Sequence, residues 1–272
     1  MSSYSEFFNS LNQDLLALIW FAACYMGYQF YAKRRSYQVT CLASVMHLYR
    51  REWMNSMLKR DVRVADTTTV ANLERGVTFF ASTTMLVLAG LMTLLSRSDT
   101  AIGMLSELPF STPMTPLMWD LRIVLLMVIF VYAFFKFTWS LRQYGFVSVM
   151  IGGAPNPSEA VDPRSLEMHA ERAARMASMA ANNFNIGLRT YYFAIAGLSW
   201  MVNGWLFMVL TAVVVWILYR REFASSTLRT LMMSTDINSI SKQGLKLNLS
   251  PPSIEVLNRK STFGKLGLSY EH

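Results

Sequence analysis

The sequence predicts an all-α, polytopic integral membrane protein with about five spans and two amphipathic helices on its cytoplasmic side. Three observations carry this expectation. Of the 272 residues, 53% are hydrophobic and only 15% charged, against about 25% charged in a soluble domain, so much of the surface is built to meet something other than water. Several apolar runs are long enough to cross the roughly 30 Å hydrocarbon core of a bilayer. The basic residues cluster beside those runs on one side of the alternation, as the positive-inside rule requires of cytoplasmic loops.

The first expected span runs from about Asp14 to Tyr31 and is followed at once by Lys33-Arg34-Arg35, with only Glu6 and Asp14 charged before it. A cleaved signal peptide carries its positive charge first, and the lipoprotein-like Phe21-Ala22-Ala23-Cys24 lacks a basic leader. The segment therefore reads as a helix with its N-terminus outside. From about Val39 to Met57, Leu42, Met46, Tyr49, Trp53 and Met57 recur at helical spacing, with Arg50, Arg51, Lys59, Arg60 and Arg63 around and after them. Such a stripe either lies along the membrane surface or packs on the protein's own helices. Asp61, Asp66 and Glu74 alternate with Arg60, Arg63 and Arg75, the pattern of solvated ion pairs worth little.

The second span is expected at Val77 to Leu95, with Ser82-Thr83-Thr84 bonding back onto its own helix or across to a neighbour. Ser96 to Pro116, with Arg97 its one basic residue, reads as a short outside loop. The third span covers Leu117 to Trp139. Asp120 and Arg122 at its start serve capping and topology, and Lys136 lies near its inner end. Asp162-Pro163 is a helix-start signal; the stripe that follows (Leu166, Ala170, Ala173, Ala177, Ala180, Phe184) suits close helix packing or a partner surface. Phe184 to Tyr219 is either one long helix, giving four spans, or a hairpin turning at Asn203-Gly204. Only the hairpin keeps Arg189 and Arg220-Arg221 on the same inner side. The division is then a membrane domain over 1–222 and a flexible basic cytoplasmic tail over 223–272, in the cell inner membrane with the C-terminus cytoplasmic.

The net charge of +8 belongs to the inner loops, and no recognition motif accompanies it, so nucleic acid is not expected as a partner. CxxC, HxxxH and HExxH spacings are missing, as are GxSxG, P-loop and GxGxxG motifs; neither a metal, a cofactor nor an enzyme is expected. Cys24 in an apolar run and Cys41 in a basic loop do not suggest a disulfide.

Two groups of residues are candidate sites. Arg50, Arg51 and Trp53 lie on the cytoplasmic helix that would meet a partner. Lys136, Arg142 and Arg189 are cations toward the inner ends of spans, either snorkelling anchors or binding groups. The leading functional reading is a non-enzymatic interaction or scaffold component. Beyond the bilayer itself, its partner is anionic lipid or another membrane protein, with a homo-oligomer as a further option. The alternative is a small oligomeric transporter or channel for an anionic solute.

Several longer stretches form one pattern: Arg50-Arg51-Glu52-Trp53-Met54, Phe79-Phe80-Ala81-Ser82-Thr83, Phe130 through Tyr144, Asn185 through Phe193, and Tyr219-Arg220-Arg221-Glu222-Phe223. From about Asp14 to Phe223 the chain resembles the uncharacterised membrane-protein family catalogued as domain of unknown function 599. The resemblance implies a multi-span membrane protein and brings no functional residues with it.

Overall fold

A computed structural model describes residues 2–36, 41–107, 112, 114–223 and 225–232. Among them the regular structure is entirely helical: α1 (Ser2–Ser36), α2 (Leu42–Met57), α3 (Val64–Ser96), α4 (Ser98–Ser106), α5 (Pro116–Gly152), α6 (Pro163–Leu198), a 3-10 turn at Ser199–Met201, α7 (Gly204–Phe223) and α8 (Ser226–Leu231). Three helical stretches are long and apolar enough to cross a membrane: Asn12–Ala32, Val64–Ser96 and Pro116–Gly152.

Local chemistry sets the helix ends. Thr115 caps α5, its hydroxyl accepting from the Met118 amide at 3.3 Å, with Pro116 at the first helical position. Asp162-Pro163 starts α6 as expected, although the Asp162 side chain makes no capping bond. The turn that separates α6 from α7 lies where Asn203-Gly204 predicts it: the Asn203 side-chain oxygen accepts from the Trp205 amide at 2.8 Å, and α7 packs back against α6. A single unbroken helix through this region is therefore excluded.

Two elements exceed the lengths that hydropathy suggests. α3 begins at Val64 rather than Val77, and α5 continues past Trp139 to Gly152. At about 1.5 Å per residue, the 37 residues of α5 extend roughly 55 Å, well beyond a 30 Å hydrocarbon core. The extra turns are held by their neighbours on one side. Val70 and Val77 of α3, and Tyr144, Val147 and Ile151 of α5, join Met54 and Met57 of α2 and Ala170, Ala173, Ala177 and Ala180 of α6 in one core. Packing sustains these helices where hydropathy fades.

In this core α2 lies on α6 with Val45, Met54 and Met57 buried and Trp53 half-buried. The alanines of α6 allow close approach. Near its middle, a Cβ on Gly187 would come within 2.5 Å of the Phe137 ring of α5. Two further cores fill the rest. Leu91, Trp119, Ile123, Leu126, Phe130 and Ala194 join α3, α5 and α6; Ala17, Phe21, Tyr28, Phe193, Trp200 and Phe207 join α1, α6 and α7. The outer faces carry Leu16, Ile19, Phe79, Leu86, Leu121, Phe135, Trp205 and Trp216 exposed, an apolar surface suited to hydrocarbon.

Two segments read without regular structure carry short helices. The segment read as a plain outside loop holds the helix α4. The start of the tail forms α8, which buries Leu228 and places the Leu231 carbonyl 3.1 Å from the Tyr49 hydroxyl. Both are short helices whose few contacts are long-range, so neither had a periodic signature of its own. The rest of the tail, 233–272, lies outside the described residues.

Candidate functional site

At the α2 end of the molecule, α2, α6 and α7 enclose a cavity of about 470 Å³. α2 contributes Leu42, Met46, His47 and Arg50; α6 contributes Arg175, Asn185, Leu188, Arg189 and Tyr192; α7 contributes Leu218, Arg221 and Glu222. Four arginines thus face one glutamate.

Most of these charges are engaged. Arg189 pairs with Glu222 at 2.8 Å and lies over the Tyr28 ring, 5.6 Å from its centre. Arg221 donates to the Tyr192 hydroxyl at 2.9 Å and covers the same ring. Arg175 pairs with Glu171 one turn earlier at 2.6 Å. His47 Nδ1 is 2.9 Å from the Ser178 hydroxyl. Burial pushes its pKa below the ordinary imidazole value; Glu171 opposes that shift, while Arg175, Arg50 and Arg51 add to it. Arg50 differs from the rest. No hydrogen bond or ion pair holds its guanidinium among the described residues; burial works against its charge, and the nearby Tyr144 phenol favours it.

The other candidates are placed elsewhere. Arg51 ties α2 to α6 through Glu167 at 3.3 Å and Glu171 at 3.2 Å. Trp53 donates its indole N–H to Asp66 at 2.7 Å. Lys136 reaches Asn183 at 3.4 Å and lies over the Tyr132 ring at 5.5 Å. Arg142 is exposed, over Phe146. Lys136, Arg142 and Arg189 therefore do not converge, and only Arg189 lines the cavity. His47, Arg175, Arg221 and Glu222 are lining groups that sequence reasoning missed. Their usable signal was charge balance: Glu222 is the one acid beside Arg220-Arg221 where α7 ends.

One charged group read as solvated, Asp66, is instead buried. Asp66 is 1% exposed and accepts from Arg60 at 2.6 Å as well as from Trp53, with its second oxygen unpaired. Beside it, Arg63 donates to the carbonyls of Ala154, at 2.6 Å, and Pro155, a cation at the C-terminal end of α5 where the helix dipole favours one. At the opposite end of the molecule Arg122 is 5% exposed. Both oxygens of Asp14 accept from it, at 2.6 and 2.8 Å, and it also donates to the Trp200 carbonyl at 2.6 Å and lies over the Trp200 ring. The Trp200 indole closes the circuit on Asp14 at 3.0 Å. Arg122 thus pins α1, α5 and the α6–α7 turn together rather than serving topology alone. Thr84 fills the structural role expected of it, bonding to Phe80 O and meeting the Tyr191 hydroxyl, both at 2.6 Å.

Compared with curated proteins and with solved structures, the chain finds no match in either set. A family model does match it, over residues 16–227, which takes in two of the three membrane-length stretches whole, all but the first four residues of the other, and the residues that line the cavity. The chain belongs to the family described as protein of unknown function, DUF599.

Proposed function

We propose that this is a non-enzymatic inner-membrane protein, with an interaction or scaffold role, that binds an anionic group in the α2/α6/α7 cavity on its cytoplasmic face. In this reading the second half of α6 and α7 add a spanning hairpin to the three long apolar helices. That gives five spans, an outer N-terminus, and cytoplasmic α2 and α8. The observation that carries the binding role is Arg50. A half-buried guanidinium with no carboxylate beside it is costly, and here it faces an open cavity in which the acid among the described lining residues, Glu222, is already paired with Arg189. An anion entering the cavity removes that cost. A transporter for an anionic solute ranks second because Lys136, Arg142 and Arg189 do not share a path.

Two experiments test the reading. Dual reporter fusions after Tyr4, Arg60, Thr112, Ser165 and Asn203 should report outside, inside, outside, inside and outside. The full-length protein in nonionic detergent should be stabilised against heat by at least one anion from a panel of inorganic phosphate, citrate and anionic lipid. Arg50→Gln should abolish that effect. An anion response identical in wild type and Arg50→Gln would dismiss the cavity as the site.

A further inference from the structure

Resting on the reading that the cavity takes an anion, we infer that its ligand is an anionic phospholipid, held by its phosphate between Arg50 and the α6 and α7 arginines. Three features single out a lipid over a soluble anion.

The first is depth. In the five-span reading α7 crosses the bilayer, and its 20 residues, about 30 Å of helix, end at the inner boundary of the hydrocarbon core. Its last turn, with Arg220, Arg221 and Glu222, therefore lies at the level of the lipid headgroups. Tyr192 beneath Arg221, and Trp216 beneath Arg220 at 5.6 Å, form the aromatic layer that typically marks this level. The cavity rim is drawn from that same turn.

The second is the character of the walls. Leu42 and Met46 of α2, Leu188 of α6 and Leu218 of α7 line the same space as the arginines. A hydrophilic anion would leave these four side chains against water. A phosphate continued by glycerol esters covers both kinds of wall.

The third is size. A free phosphate occupies only a few times the roughly 30 Å³ of a liquid water, and the cavity measures about 470 Å³. A headgroup with its glycerol backbone fills space that a small ion leaves to solvent.

The test uses delipidated full-length protein in nonionic detergent, with four probes: phosphatidylglycerol, phosphatidylcholine, inorganic phosphate and glycerol 3-phosphate. Binding is read by native mass spectrometry and thermal unfolding. Phosphatidylglycerol should bind and stabilise, phosphatidylcholine should not match it, and the two soluble phosphates should have little effect at the same concentration. Arg50→Gln should weaken phosphatidylglycerol binding about tenfold or more, as loss of a charge-assisted hydrogen bond implies. Arg50→Lys, which keeps the charge but loses the planar fork, should fall between and serves if Arg50→Gln does not fold. Equal effects of the two lipids would overturn the inference. So would a response to inorganic phosphate as large as that to the lipid and equally dependent on Arg50, although the anion-binding reading would then stand. If no probe acts through Arg50, both fail.

Discussion

Removing Arg122 tests whether its circuit with Asp14 and Trp200 is a structural pin. Arg122→Met keeps much of the side chain's length and apolar volume but deletes two charge-assisted bonds to Asp14, one to the Trp200 carbonyl, and the stacking on its ring. Breaking a buried pair from one side typically costs about 3–5 kcal/mol, because a charge is left behind without compensation. The Asp14 side chain is 18% exposed and keeps its bond from the Trp200 indole, so the lower end applies, about 3 kcal/mol. Asp14→Leu leaves the more deeply buried member, Arg122, and should cost at least as much. The informative variant is the double. With both charges gone nothing uncompensated remains, so its loss should fall short of the sum of the singles by more than about 1 kcal/mol, as directly coupled partners do. Thermal unfolding of the four proteins in one detergent, at matched protein-to-detergent ratio, closes the cycle. Strict additivity would mean the contact is not energetically coupled and the pin does not exist.

Three further outcomes follow from the contacts of α2, α3, α5 and α6. Asp66→Asn, which leaves Arg60 without its partner and weakens the hold on Trp53, should destabilise by about 2 kcal/mol, with Trp53→Phe nearer 1; equal and negligible melting shifts would return Asp66 to the solvated class. Gly187→Ala forces a methyl into the Phe137 ring and should cost about 1–3 kcal/mol, more than Gly197→Ala, whose methyl meets only a Leu126 side-chain methyl at 2.8 Å; the reverse order in melting temperature would contradict the close α5–α6 contact. His47 has its pKa lowered in the folded state by burial, so the unfolded chain binds more protons below the ordinary value of about 6.5. Stability should therefore be intact above that pH and fall as pH drops through the folded pKa. His47→Gln should flatten this acid limb in melting curves, and an unchanged limb would assign the acid sensitivity to other groups.

What the sequence made legible, and what it did not, follows the range of each signal. The Asn203-Gly204 turn and the alanine stripe of α6 were readable because their chemistry is local: a turn dipeptide, and small residues at one helical period. The starting point of α3 was not. Val64 to Gly76 presents Asp66 and Val70 inward among outward polar residues, so hydropathy averages it away although the helix is held by its neighbours. Asp66 was read as solvated, and the pinning contacts of Arg122 went unseen, for a related reason. A charge beside other charges looks solvated, and its burial is decided by partners elsewhere: Trp53 from the preceding helix, Asp14 from 108 residues upstream. The cavity was half legible for the same cause. Arg50 and Arg189 stood out as single cations, while the groups that complete the lining gather only when α2, α6 and α7 meet.

The contacts of α1 bear on how the chain is made. α1 packs chiefly against α7, and its one charged residue within the described core, Asp14, is held by Arg122 and Trp200. None of these partners has been synthesised when α1 leaves the ribosome. α3, α5 and α6 can close their shared core as soon as residue 198 is in place, whereas α1 must wait beside them in the bilayer until the α6–α7 turn appears and α7 follows. Its acid is tolerable during that wait because Asp14 lies near one end of the membrane-length stretch Asn12–Ala32 and not at its centre, where a carboxylate is far more costly. Assembly thus ends as it began, with the first helix, which seats last and locks the turn that precedes the final helix.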